Sequence, residues 1–184
     1  MLRSASRRTP SKILRATART KVLKRLRLLA LDVDGVLTDG GMYYGEAGEE
    51  FKKFQTRDGM GIKLLQAEGF LTAIVTGEKT QIVKRRAQKL GIPEVHQGIQ
   101  DKLAVLKGLV TKYGLTFDQV AYMGDDVNDL EALCEVGFSG APADCMEPVR
   151  QVVHYICRRK GGEGAVREVT DLILSARGVR PVFR

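Results

Sequence analysis

From residue 28 onward, short apolar runs alternate with single amphipathic segments that stop on glycine. The runs LLALDV (28–33), LTAIVTG (71–77), VHQG (95–98), QVAYMGD (119–125) and GFSGA (137–141) have the character of buried strands. Between them, DGMGIKLLQAEG, KTQIVKRRAQKLG, DKLAVLKGLVTKYG and DDVNDLEALCEVG carry apolar residues at i, i+3 and i+4 and end on Gly, a helix stop. Strands joined by single helices require right-handed crossovers. The alternation therefore predicts an α/β fold: three layers, with a Rossmann-like, mostly parallel sheet covered on both faces. One stretch breaks the rhythm. MYYGEAGEEFKKFQ (42–55) holds two short strand-like runs around Gly45-Glu46-Ala47-Gly48, which predicts a β-hairpin. Near the end, GGEGAVREVTDLILSARG predicts a glycine turn followed by a terminal helix.

The chain of 184 residues suits one domain with a sizeable core. No stretch approaches the roughly 20 apolar residues of a membrane span, and the internal run at Leu28 carries Asp32, so it is no signal-peptide core. The net charge of +8 is unevenly placed: residues 1–27 hold ten Lys or Arg and no acid, leaving twenty bases against twenty-two acids in the remainder. The expected organisation is a flexible basic extension (1–27), a catalytic domain (28–176) and a C-terminal tail (177–184). The extension fits an organellar transit peptide, an arm for nucleic acid or anionic membrane, or a solvated segment without a role of its own. A short helix within 13–26 is compatible with its loosely spaced apolar residues. Cys134, Cys145 and Cys157 match no metal or redox spacing, which suits free thiols in the cytoplasm. His96 and His154 are isolated, so no histidine-centred mechanism is encoded.

In an open parallel sheet, ligands bind beyond the carboxyl ends of the strands. Asp32 and Asp34 end the first strand, Thr76-Gly77 the second and Gly124-Asp125-Asp126 the fourth, while Lys102 opens the helix after the third. Asp32, Asp34, Asp125, Asp126 and Asp129 thus crowd one edge. Carboxylates so close strongly disfavour joint ionisation. A hard divalent cation removes the conflict, and Mg²⁺ suits a site of one or two carboxylates plus a phosphate. With Lys102 and Thr76 the edge becomes a hole for a dianion. One aspartate can attack phosphorus while its neighbour protonates the leaving oxygen and later activates water, so the pattern points to phosphoryl transfer through an aspartyl-phosphate.

DVDGVLTDGG, VTGE, Lys102 in QDKLAVL and GDDVND resemble the four motifs of the haloacid dehalogenase superfamily of phosphatases. The resemblance spans about residues 27–176. It implies a HAD-like core with Asp32 as nucleophile and metal ligand, and Asp34 as general acid/base with its backbone carbonyl on Mg²⁺. Thr76, Gly77 and Lys102 would bind the phosphoryl group, Asp125 the metal, and Asp126 and Asp129 would support. DVDGVLTDGGMYY, KKFQTRDGMGIKLL and GGEGAVREVTDLIL are similar to the branch of 3-deoxy-D-manno-octulosonate 8-phosphate phosphatases and their nine-carbon relatives. Members of that branch are cap-less homotetramers that act on sugar-acid phosphates and share active sites between subunits. Only about 40 residues separate Asp34 from Thr76 and 25 separate Thr76 from Lys102, which leaves no room for a lid domain. The hairpin's free edges are then available to neighbours.

One departure bears on the substrate. The octulosonate phosphatases typically carry Arg after the Thr-Gly pair, where this chain has Glu78. Glu78 with Lys89 resembles the 2-keto-3-deoxynononate 9-phosphate phosphatases, in which the matching pair contacts the sugar acid. This favours the nine-carbon substrate over the eight-carbon alternative. A non-catalytic oligomerisation module, like that of animal sialic acid cytidylyltransferases, is the competing class. It requires an eroded aspartate pair that this sequence does not have. A phosphatase for proteins or nucleic acids is the third possibility, and an oligomer-closed pocket argues against it.

Overall fold

The computed structural model describes residues 16–46 and 50–179. Its elements in chain order are α1 (Ala16–Arg25), β1 (Leu28–Leu31), β2 (Tyr43–Tyr44), β3 (Glu50–Phe51), α2 (Thr56–Ala67), β4 (Leu71–Val75), α3 (Gln81–Leu90), β5 (Glu94–His96), α4 (Lys102–Tyr113), β6 (Val120–Met123), α5 (Leu130–Glu135), β7 (Phe138–Ala141), α6 (Glu147–Arg150), β8 (Tyr155–Ile156) and α7 (Ala165–Ala176). All four residues of β1 are fully buried, because this strand lies in the middle of the sheet with helices over both faces. Side chains alternate across it. Leu29 and Leu31 pack with Ile62, Leu65, Val169 and Ile173 on one face, and Leu28 and Ala30 with Leu106, Leu109 and Leu133 on the other.

The sheet runs β5-β4-β1-β6-β7-β8, parallel throughout. β1 pairs on one side with β4 (Leu31↔Ile74) and on the other with β6 (Leu31↔Met123). The chain fills the sheet outward to β5 and then returns to fill the opposite half. That reversal leaves a crevice at the carboxyl end of β1. The α/β architecture and the helix stops at Gly91 and Gly114 agree with the sequence.

Three features differ from expectation. The basic extension is not loose up to residue 27: α1 packs against α7, with Leu23 and Leu26 buried. Each such leucine contributes about 1.5–3 kcal/mol of burial, enough to hold a three-turn helix in place. Residues 1–15, the rest of that extension, lie outside the described residues. The segment 125–137 is not one helix but a 3-10 turn (Val127–Asp129) followed by α5, since the Asp129 carboxylate turns back onto the amides of Asp125 and Asp126. Two short elements, α6 and β8, carried too few residues to show a period.

The hairpin forms, with Tyr43 opposite Phe51 and Tyr44 opposite Glu50. The tip of its expected turn, residues 47–49, lies outside the described residues, as do 180–184 of the C-terminal tail. Tyr43, Tyr44 and Phe51 are exposed. Cys145 and Cys157 are buried free thiols. Among the described residues no helix is long and apolar enough to cross a membrane.

Candidate active site

Asp32 directly follows β1, and its N–H continues the ladder to the Met123 carbonyl at 3.0 Å. The chain then tightens. The amides of Val36, Leu37 and Thr38 all donate to the Val33 carbonyl, at 3.2, 2.9 and 3.0 Å, which folds Asp34 back over the crevice. Gly35 makes this possible. It has φ +78°, and a Cβ there would overlap the Asp125 carboxylate. Behind the loop, the Gly161 backbone lies against the Gly35 carbonyl so closely that any side chain at 161 would collide with it.

Lys102 reaches the site because Asp101 caps α4. The Asp101 side chain accepts from the Ala104 amide at 2.8 Å, so the helix begins at Lys102 beneath the strand ends. Lys102 Nζ pairs with Asp32 Oδ2 at 2.9 Å and Asp129 Oδ1 at 2.6 Å, and all three side chains are buried. Asp129 is saturated. Its Oδ1 also accepts from the Tyr122 hydroxyl at 2.5 Å, and its Oδ2 accepts from the amides of Asp125 and Asp126 at 3.0 and 3.4 Å.

Charge is unbalanced here. Burial pushes the Asp32 carboxyl up to about 7, with Asp129 adding to the rise and Lys102 opposing it. Burial also pushes Asp125 up to about 8, helped by Asp32, Asp129 and Asp126. Lys102 is desolvated too, yet the two carboxylates outweigh this and raise its pKa. Oxygens of Asp32, Asp125 and Asp129 fall within 4.8 Å of one another. A single ammonium does not compensate three carboxylates, and an all-oxygen donor set of this kind suits a hard divalent cation. Since both oxygens of Asp129 already have partners, Asp32 and Asp125 are the carboxylates left for the ion. Asp129 instead shapes the loop that carries Asp125.

A cavity of about 310 Å³ opens over this cluster, bounded by Asp32, Asp34, Thr76, Gly77, Asp125 and Asp126. Thr76 is buried and held by its amide to the His96 carbonyl at 3.0 Å. Its hydroxyl accepts from the Glu78 amide at 3.3 Å. Glu78 is exposed and lines the cavity rim. Asp126 caps the 3-10 turn through a 2.6 Å bond from the Val127 amide. Lys89 is not brought in. It is exposed in the last turn of α3 and does not line the cavity, because α3 runs away from the strand ends and eight residues of helix carry it about 12 Å from the site-facing terminus.

Three contributors were missed in the sequence. Tyr122 is a fully buried residue of β6 whose hydroxyl braces Asp129; in sequence it is one more apolar strand position. Lys52 sits in a charged run after the hairpin, yet its Nζ lies 2.7 Å from Asp34 Oδ1. Asp58, fully buried in α2, accepts from the Arg167 amide at 2.7 Å and so caps the first turn of α7 from outside. Burial pushes Asp58 up to about 6.

A doubly wound parallel sheet with this aspartate–lysine cluster at its switch point defines a haloacid dehalogenase-like hydrolase, and the chain belongs to that family. The family's model, described as haloacid dehalogenase-like hydrolase, matches residues 94–169. The chain is 46% identical over 151 residues to the 3-deoxy-D-manno-octulosonate 8-phosphate phosphatase of Yersinia pestis, covering 82% of this chain and 81% of the relative. Its fold matches the octulosonate 8-phosphate phosphatase of Moraxella catarrhalis, solved with magnesium, phosphate and the octulosonate, at a TM-score of 0.86 and 42% identity over 88% of this chain and 93% of that one. The cobalt-bound form of the Haemophilus influenzae phosphatase matches at a TM-score of 0.82 and 39% identity, over 85% and 92% of the two chains.

Proposed function

We propose that this chain is a Mg²⁺-dependent 3-deoxy-D-manno-octulosonate 8-phosphate phosphatase acting through an aspartyl-phosphate on Asp32. The observation that carries the reaction type is Asp32, tied to the buried Lys102 and facing Asp34, Thr76 and Asp125 across one small cavity. The eight-carbon substrate rests on the names of the relatives above. They replace the leaning toward the nine-carbon acid, and Lys89, half of the pair behind that leaning, lies away from the cavity. A non-catalytic role is disfavoured, because Asp32, Asp34, Lys102 and Asp125 converge on one edge.

Lys102 and Thr76 hold the phosphoryl oxygens while Asp32 Oδ attacks phosphorus in line with the sugar oxygen. As the P–O bond to the sugar breaks, Asp34 gives its proton to the leaving oxygen. Asp34 then takes a proton from water, whose oxygen attacks the aspartyl-phosphate, releasing phosphate and restoring Asp32. When bound by Asp32, Asp125 and the Asp34 carbonyl, Mg²⁺ supplies the positive charge that lets these carboxylates and the phosphate coexist.

The test is kcat/KM for the eight- and nine-carbon esters, measured side by side with Mg²⁺ and with EDTA. A preference of about tenfold or more for the octulosonate ester, or about 1.4 kcal/mol in the transition state, is expected, with activity abolished by EDTA and restored by Mg²⁺. The reverse preference would restore Glu78 as a nine-carbon determinant, and EDTA resistance would sink the metal assignment.

The assembly is a homotetramer in this proposal. Among the described residues no lid covers the cavity, and the hairpin presents Tyr43, Tyr44 and Phe51 to the outside, an aromatic surface suited to a second copy.

A further inference from the structure

We propose that Lys52, on the return limb of the hairpin, is the positioning residue for Asp34: by holding Oδ1 it fixes the orientation of the Asp34 carboxyl toward the leaving oxygen of the substrate. The inference rests on the acid/base role given to Asp34 above. Lys52 follows β3 and its side chain is 0% exposed, with Nζ 2.7 Å from Asp34 Oδ1. An exposed ion pair of this kind would mean little. A buried ammonium is different, since leaving it uncompensated costs several kcal/mol. The Thr38 hydroxyl reaches the same Asp34 oxygen at 3.3 Å.

The other oxygen is what makes the arrangement informative. Asp34 Oδ2 is buried and has no hydrogen-bond partner among the described residues. Such an orphan costs about 1–3 kcal/mol, so the bonds made to Oδ1 are what hold the carboxyl in this orientation. Asp34 lines the cavity beside Asp32 and Thr76, where the bridging oxygen of a phosphate ester would sit. Oδ2 is turned away from solvent, and the quarter of the Asp34 side chain that stays open is held in place through Oδ1. The tether comes from the hairpin, and Met42 at the hairpin's base lines the same cavity, so hairpin seating and acid/base geometry are joined.

The experiment compares kcat/KM of the wild type, Lys52→Met, Lys52→Arg and Asp34→Asn on two monoesters. One is the preferred sugar-acid phosphate, whose alkoxide leaving group needs a proton. The other is p-nitrophenyl phosphate, whose leaving group does not. kcat/KM reports phosphoryl transfer to Asp32, the step in which that proton moves. Lys52→Met should lose about 10²-fold on the sugar ester and only a few-fold on the aryl ester, with Lys52→Arg recovering part of the loss. Lys52→Gln substitutes if the methionine variant does not fold. Equal losses on both esters, or no loss on the sugar ester, would overturn the proposal. Asp34→Asn separates the two layers. If it shows the split and Lys52→Met does not, only the role of Lys52 falls. If it shows none, the acid/base assignment falls first.

Discussion

The strand-end cluster reaches the cavity through Asp32 and the hairpin reaches it through Met42 at its base, but the two are built in opposite ways. Asp32, Lys102 and Asp129 are buried, mutually bonded and anchored by β1, β6 and α4. The hairpin is two residues per strand, and among the described residues its strands pair only with each other, with Tyr43, Tyr44 and Phe51 exposed. The first is held in place by the sheet without help. The second needs something to rest against, and it carries Lys52 to Asp34. Under the proposed function, bond-making geometry is stored in the sheet, whereas substrate recognition is left to an element whose position a second copy would set.

The sharpest way to break this contrast is Asp32→Asn, which preserves shape and removes the nucleophile. Turnover should fall by about 10⁴-fold or more while the thermal midpoint stays near or above that of the parent, since a raised, desolvated carboxyl is removed. Substantial residual turnover in steady-state assays would contradict the covalent route.

The hairpin is tested next, with Tyr43, Tyr44 and Phe51 all changed to Ser. Light scattering after size exclusion should show dissociation toward monomer, and kcat/KM on the sugar ester should drop by about 10–10²-fold, mainly through KM. A stable, fully active monomer would overturn the tetramer and reopen the possibility of a macromolecular substrate.

The smallest effect belongs to Asp58, which ties α2 to α7 behind the site. Its folded pKa of about 6 lies above the unfolded value of 3.8. The folded state therefore binds the extra proton, and this contribution is fully present below about pH 4 and lost as pH rises through 6. Two pK units set a ceiling of about 3 kcal/mol. Asp58→Asn should flatten that segment of the urea stability–pH curve. An unchanged slope would show that the carboxyl ionises freely when folded.

Much of this was legible because it depends on local pattern. The alternation of runs and Gly-terminated helices specifies the sheet, and Asp32, Asp34, Thr76, Lys102 and Asp125 each sit at a predictable strand or helix end. What escaped depends on contacts distant in sequence. Tyr122 is indistinguishable from any strand residue until Asp129 is turned beneath it. Lys52 looks like surface charge until the hairpin folds over Asp34. Lys89 shows the opposite error: a likeness in the sequence suggested a contact that the direction of α3 does not deliver. Leu23 and Leu26 were hidden by the basic residues around them.

The central position of β1 also governs how the protein comes into being. Leu28 pairs with Val120, so during synthesis one edge of β1 waits until some ninety further residues have been made. Through that interval Asp32 exists without Asp125 and the loop that completes its site, and a strand of four buried apolar residues has an open side. Long-range parallel pairing of this kind is slow and prone to self-association. The late half of the chain thereby closes the sheet and completes the cavity in one event, so a fragment that ends before β6 should not hydrolyse a phosphate ester.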